Sequence, residues 1–387
     1  MHKILEFILA AAIIMSVLVA TDYIVRTYVS STQEPSNYLK ISVNTVANAI
    51  ADYILDTPGV PKDWDQLPKI KPPKRLGLSF INSSDVVNPL KVIHLMLCNN
   101  TLNPYYLNPL SDVTLFTRMT TGSSNYGVRI ELRNFFNVKV YRVNNEVYVN
   151  ISKYLVGAKA YVLGVLKCSS SPLYYYLNMT SVTVLLNSSS TLVFTYPLKC
   201  DLISVTAIVS KGGYASISYL VDNSSIRLLP VTALSNDLTL LDLSPTPLPI
   251  GNPNYLVNAS IFYYIPNNTN PTVISVSNLS VKNYTRIKLV SYYNIGLYDI
   301  IDLSNNTIKY SPSMHTIVIE VCERVGKKLN ATAVYVVPLY PYLRLLCNGE
   351  YGLPSPTSAV PTATINRVVK VGLFDYVFNI KVWVMRS

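Results

Sequence analysis

Charge is scarce in this chain. Only 14% of its 387 residues are Asp, Glu, Lys or Arg, against about 25% in an average soluble domain. Half of the residues are hydrophobic, so the chain is not of the charge-rich, apolar-poor kind that stays disordered. Histidine is rarer still, at His2, His94 and His315, which excludes a His-rich metal site. There is no Cys-x-x-Cys or Cys-x-x-His for zinc. Phosphate-loop (G-x-x-x-x-G-K-S/T), dinucleotide (G-x-G-x-x-G), zinc-protease (H-E-x-x-H) and nucleophile-elbow (G-x-S-x-G) signatures are all missing. Among 21 acidic residues no spacing selects a carboxylate pair for glycoside hydrolysis. The expectation is therefore no enzyme, no cofactor, no metal and no small-molecule substrate. An exterior hydrolase is the least favoured of the functional classes considered.

What is abundant is tyrosine (30) and proline (24), and cations exceed acids by 32 − 21 = 11. The 387 residues allow two to three domains at about 150 residues each. Tyrosine pairs such as Tyr292-Tyr293 suit either an uncharged β surface or subunit contacts. Five cations, Lys62, Lys69, Lys71, Lys74 and Arg75, crowd one proline-rich loop. Only Trp64 is interleaved with them, so nucleic acid is not an expected partner and a solvated loop is.

The N-terminus sets the compartment. Residues 7–20 carry no charge, and the span from Ile4 to Val25 is 22 residues, about 33 Å of helix at 1.5 Å per residue, long enough to cross a bilayer. Leu18-Val19-Ala20 is not a small-x-small cleavage site, so a retained membrane span is expected over a cleaved signal. Lys3 ahead of it places the N-terminus in the cytoplasm and the bulk of the chain outside.

Asn-x-Ser/Thr acceptors support an exterior location. They occur at Asn82, Asn99, Asn150, Asn178, Asn187, Asn223, Asn258, Asn267, Asn278, Asn283, Asn305 and Asn330, about twice the number that composition alone predicts. Five cysteines stand at 98, 168, 200, 322 and 347. In an oxidising exterior the expected bridges are Cys168–Cys200 and Cys322–Cys347, each closing a strand-like stretch, with Cys98 left over.

Along the chain, an amphipathic helix is expected on Leu39, Val43, Val46, Ile50 and Ile54, ended by Pro58-Gly59. A third helix is expected from about Val86 to Cys98, with His94 in a structural role; His315 opens a strand in a similar one. The rest reads as β. Asn144-Asn145 predicts a hairpin over 138–152, pairing Val140 with Val149 and Val138 with Ile151 on one face, Tyr141 with Tyr148 and Lys139 with Asn150 on the other. Hairpins are also expected at Ser181–Leu186 with Thr191–Tyr196 and at Ile203–Val209 with Tyr214–Val221. Further strands are expected within 255–384. The proline-rich stretch Ser244–Gly251 is expected to separate two domains. The layout is α+β: 1–31 membrane helix, 32–98 helical neck, and antiparallel β-sandwich domains over 99–245 and 246–387.

Three places carry a resemblance. Glu6 stands just ahead of the apolar run. Thr57-Pro58-Gly59-Val60-Pro61-Lys62-Asp63-Trp64 follows a helix and leads to Gly77-Leu78. The chain finishes on a strand with Lys381-Val382-Trp383. Together these resemble archaeal type IV pilins and pilin-like membrane-anchored surface proteins, over about the first 95 residues and the last strand. The resemblance implies an anchoring N-terminal helix, an exterior β body and partners among other pilin-like subunits, with Glu6 pairing to a neighbouring subunit's terminal amine. A leader of Met1 alone, or of Met1-His2-Lys3, departs from the prepilin pattern: either the true start lies elsewhere, or the chain is unprocessed and stays outside a filament. The expected function is a structural one in a pilus-like appendage or its assembly. The alternative is a membrane-anchored surface glycoprotein, an adhesin or envelope component, outside any filament.

Overall fold

The computed structural model describes residues 35–64, 73–81, 83–96, 125–151, 157–171, 174–186, 191–232, 238–242, 246, 248–266, 272–276, 284–290, 295–303, 309–344, 346–356 and 360–385. The expected membrane helix and Glu6 lie outside them. No helix among the described residues is long and apolar enough to cross a membrane.

The chain is mostly β, with several antiparallel sheets and two short helices. In order the elements are α1 (Pro35–Asp56), β1 (Ser79–Phe80), β2 (Ser83–Val87), α2 (Pro89–Met96), β3 (Tyr126–Asn134), β4 (Val138–Val143), β5 (Glu146–Ile151), β6 (Lys159–Ser171), β7 (Tyr174–Leu185), β8 (Thr191–Thr195), β9 (Cys200–Lys211) and β10 (Tyr214–Val221). Then follow β11 (Leu228–Thr232), β12 (Leu238–Asp242), β13 (Tyr255–Tyr263), β14 (Thr272–Val276), β15 (Tyr284–Val290), β16 (Ile295–Asp302), β17 (Met314–Val325), β18 (Lys328–Pro338), β19 (Glu350–Gly352), β20 (Thr362–Val371) and β21 (Phe374–Val384).

Helix α1 forms where the 3.6-residue period predicts it. Proline opens it, where a missing N–H costs nothing. Val43, Ala47, Ile50, Ala51 and Ile54 are buried along one face. That face packs on a six-stranded sheet of order β1-β2-β20-β21-β3-β19. Arg367 of β20 reaches back to Asn48 and Asp52 on the helix's exposed side, at 3.1 and 3.2 Å. In β21, alternate residues Phe374, Tyr376, Phe378, Ile380 and Val382 are fully buried, the period of 2 that a strand imposes.

The hairpin over 138–151 has the expected register: Val138 faces Ile151, Lys139 Asn150, Val140 Val149 and Tyr141 Tyr148. Asn144 takes the positive φ of 54° that its turn needs. The Tyr141 and Tyr148 rings stack at 5.3 Å on the outer face. Joined by β8, these strands make a three-stranded sheet (β4-β5-β8) lying face to face with a four-stranded one (β10-β9-β6-β7). Their shared core is Val138, Val140, Val147, Val149 and Ile151 against Ala158, Ala160, Val162, Val205, Ala207 and Val209. The four-stranded sheet's opposite face turns Leu163, Val165 and Ile208 into the main core. Strand β9 is thus buried on both faces, and only its ends are exposed.

Three expectations are corrected. Residues 181–186 and 191–196 are not a hairpin: β7 pairs with β6 and β8 pairs with β5, so the chain steps from one facing sheet to the other. The third helix starts at Pro89, because residues 83–87 form a strand whose Val87 pairs in parallel with Val371. The boundary near residue 245 does not separate two sets of sheets. Strands β11 and β12 share a sheet with β15 and β16, and β3 pairs along its length with β21. Of the proline-rich stretch's described residues, Leu248 is buried and the Thr246 carbonyl accepts a hydrogen bond from Arg227 Nη2.

Candidate functional site

The residues of the longest resemblance motif meet at one place, the junction between α1 and the six-stranded sheet. The helix ends as Thr57 donates from both its N–H and its hydroxyl to the Tyr53 carbonyl, at 3.2 and 2.7 Å. Gly59 then takes φ +84°, followed by a cis Val60–Pro61 bond. The chain returns along itself. Val60 N–H donates to Arg75 O at 2.9 Å and Lys74 N–H to Val60 O at 2.7 Å, while Leu78 N–H donates to Ile54 O at 2.7 Å and Ser79 N–H to Thr57 O at 3.0 Å. Two glycines touch where these passes cross. A Cβ on Gly59 would stand 2.8 Å from Gly77 N, and one on Gly77 would collide with Gly59 N and Thr57 O. The buried Trp64 ring closes over the crossing and donates from Nε1 to Gly77 O at 2.9 Å.

Behind Trp64 lies a buried lysine. Lys91, 1% exposed, donates from Nζ to the carbonyls of Pro58 (2.7 Å), Lys62 (2.9 Å) and Ser79 (3.2 Å). Its Nζ is 5.9 Å from the Trp64 ring centre. A buried ammonium is tolerated only when its donors are satisfied, and here backbone carbonyls from both passes satisfy it. Sequence reasoning missed Lys91. The one signal for it was a lone cation inside the otherwise apolar Pro89–Met96. At the other end of the resemblance, Trp383 lies over Gly127, its register partner in β3, where a Cβ would strike the indole.

No family model matches this chain, and no curated protein matches it. Two solved structures are similar over limited stretches. One is the solution structure of R. palustris CsgH, at 16% identity, covering 24% of this chain and 91% of that one with a TM-score of 0.13. The other is the calcium binding domain CBD12 of CALX1.1, at 6% identity, covering 47% and 76% with a TM-score of 0.11. Likeness at these scores carries no argument about this chain.

The other expected site residues lie apart from the junction. Asn150 and Asn223 are exposed, while Asn178, Asn258 and Asn330 are partly buried. Asn82, Asn99, Asn187, Asn267, Asn278, Asn283 and Asn305 lie outside the described residues. Cys168 and Cys200 are bonded, directly opposite each other on β6 and β9. The bridge expected between Cys322 and Cys347 does not form. Cys322 is a free, buried thiol in β17, opposite Leu256 and Ala331. Cys347 sits in a 3₁₀ turn against β3, which belongs to a different sheet, and is itself disulfide-bonded. Burial, with help from Glu320, pushes the Cys322 thiol up to about 12, so it stays protonated.

Both described histidines are buried. A ring nitrogen of His94 lies 3.0 Å from the Pro230 carbonyl, tying α2 to β11. His315 lies between the Tyr161 and Phe262 rings, and burial lowers its pKa to about 3, so it is neutral. No group of three or more His, Cys, Asp or Glu among the described residues is placed to hold a metal ion. A second paired cation, half-buried, was also missed: Arg227 holds the buried Asp242 with two hydrogen bonds, at 2.8 and 2.9 Å, and reaches the Tyr335 hydroxyl of β18 at 3.2 Å. This pair ties two sheets together. The described cations of the basic loop, Lys62, Lys74 and Arg75, are exposed or nearly so, and Arg75 lies over the Tyr53 ring.

Proposed function

We propose that this chain is a structural cell-surface protein, a pilin-like or minor-pilin component of an archaeal type IV pilus-like appendage or of its assembly. The observation that carries the reading is the junction. The resemblance's longest motif fixes the end of α1 to the β body through backbone hydrogen bonds, two touching glycines and a buried lysine. That is the construction required of a link that carries force between an anchoring helix and an exterior body. In this reading the N-terminal apolar segment anchors the chain in the membrane or bundles with other subunits. The β body faces outward and carries glycans, and the chain performs no chemistry.

A second reading has an observation of its own. The five described sequons all have asparagines at least partly open to solvent, on three sheets and one 3₁₀ segment, which suits a membrane-anchored surface glycoprotein outside any filament. Shearing surface filaments from cells and comparing them with pelleted membranes by mass spectrometry decides between the two. Enrichment in the sheared fraction is the expected result. Recovery in membranes alone, with residues 1–3 intact, would sink the filament reading and leave the anchored glycoprotein.

A further inference from the structure

The facing sheets over 138–221 leave a cleft on one side of their sandwich. There β4, an edge of the three-stranded sheet, comes against β10, an edge of the four-stranded one. The segment 341–344, which follows β18, passes beside both. A cleft of about 250 Å³ remains between them, lined among others by Asn134, Lys139, Tyr141, Ser218, Tyr342 and Arg344. Pockets for drug-sized ligands run from roughly 300 to 1,000 Å³, so this one has room for a single sugar ring and little more.

The interior of the cleft and its mouth differ in chemistry. Inside, the hydroxyls of Tyr219 and Tyr342 are engaged by the carbonyls of His315 (2.7 Å) and Val221 (3.5 Å), and their rings meet edge to face at 6.3 Å. Asn134 Oδ1 is buried too, but it accepts no hydrogen bond. A buried acceptor without a donor is costly, and in a folded protein it calls for a reason such as a bound molecule. At the mouth, Lys139 and Arg344 are exposed, and no Asp or Glu stands among the described lining residues. Arg344 donates to the Tyr342 hydroxyl, which leaves most of its five N–H groups for another acceptor. Tyr141, exposed as well, shares a face of β4 with Lys139, since side chains two residues apart along a strand lie on one side.

We infer that this cleft binds one acidic sugar unit, a uronate, with its carboxylate at Arg344 and Lys139 and a hydroxyl donating to Asn134 Oδ1. The inference does not depend on whether the chain enters a filament, and no covalent bond is made or broken. A simple carboxylate would leave Asn134 without a donor, and a neutral sugar would leave both cations without an anion. A sugar acid carries the two groups on one ring. Its C–H faces suit the apolar part of the lining, where Val138, Ile217, Pro341 and Leu343 stand, and a few placed polar groups among apolar walls are how small-ligand sites fix orientation.

The test titrates the full chain, purified in detergent, with glucuronate, glucose, acetate and glycylglycine by isothermal calorimetry at one salt concentration. Saturable binding of glucuronate is expected, at the roughly millimolar strength of so small a ligand, with the other three weaker by at least about tenfold. R344M should weaken glucuronate about tenfold and K139M by less. N134L removes the buried acceptor and should bring glucuronate down to the level of acetate. K327M makes the same charge change at an exposed position between β17 and β18 and should change nothing. Should N134L fail to fold, R344M still decides, because Arg344 is exposed. Acetate binding as tightly as glucuronate would reduce the cleft to a surface anion site and overturn the inference. Tighter glycylglycine would overturn it in favour of a peptide end, and so would wild-type affinity in R344M count against it. Sedimentation with and without glucuronate separates two sources of the sugar. Copies that glucuronate pulls apart were joined through a glycan, whereas copies monomeric throughout take the unit from an unattached polysaccharide, and either result supports the site.

Discussion

At the junction, backbone groups do the holding: carbonyls of Pro58, Lys62 and Ser79 converge on one ammonium, and two glycines press together. The path of the chain there depends on a handful of atoms that tolerate no added carbon. The facing sheets over 138–221 are held otherwise. Their core is an alternation of Val, Ile, Ala and Leu from several strands, each large side chain contributing about 1.5–3 kcal/mol by leaving water. Such a core is diffuse, and one trimmed methyl lowers its stability without changing its shape. The junction is concentrated, and a single added methyl changes its path. A protein that must transmit force from helix to body needs the concentrated kind of joint, and a body that must only stay folded can use the diffuse kind.

The sharpest way to break that contrast is at Gly77. Gly77→Ala places a methyl group against backbone atoms that cannot move without opening the loop, so a loss of about 4 kcal/mol or more is expected. Urea unfolding followed by Trp64 fluorescence would read it, and a loss below about 1 kcal/mol would show the crossing to be slack. The sheets have one concentrated tie of their own, the Cys168–Cys200 bridge, with a sequence separation of 32 residues. Replacing both cysteines by alanine is expected to cost about 3–4 kcal/mol through the freed chain, with the helix junction left intact by near-ultraviolet circular dichroism.

Lys91→Met keeps the volume and removes the donors, stranding buried carbonyls. A cost of about 2–4 kcal/mol is expected, against about 2 kcal/mol for Val149→Ala in the facing sheets. Equal costs, with protease sensitivity unchanged at residues 57–64, would mean that the lysine is only filling space. The smallest effect is graded with pH. Unfolded His315 takes up a proton near pH 6.5, whereas the folded residue stays neutral down to about 3. Between those values the unfolded state holds the extra proton, so stability falls as pH falls, by up to about 1.4 kcal/mol per pH unit. His315→Gln should flatten this slope in denaturant titrations at pH 4–7.

The hairpin over 138–151 and helix α1 were legible because their signals are local. A turn residue that accepts positive φ and a period of 2 set the register, and a period of 3.6 set the helix. The burial of His94 and His315 was legible for a similar reason, since their apolar neighbours in sequence made it the default. The separation of β7 from β8 was not legible. Both strands flank a turn-like Asn-Ser-Ser-Ser, and nothing within them says that each prefers a different partner. Lys91 and Arg227 were invisible because a cation looks exposed until carbonyls or a carboxylate from distant residues surround it.

By itself, then, the sequence determined where most of the helix and strand segments lie, which faces are apolar, and how the tightest hairpin pairs, because those follow from dihedral preference and side-chain period. Only the tertiary structure decided that β3 pairs with β21 from the far end of the chain, that Cys322 faces Leu256 and Ala331 rather than Cys347, and that a lysine ends up beneath a tryptophan. Pairing between remote strands depends on which surfaces remain after local structure has formed. That is a property of the assembled layers and of no single segment.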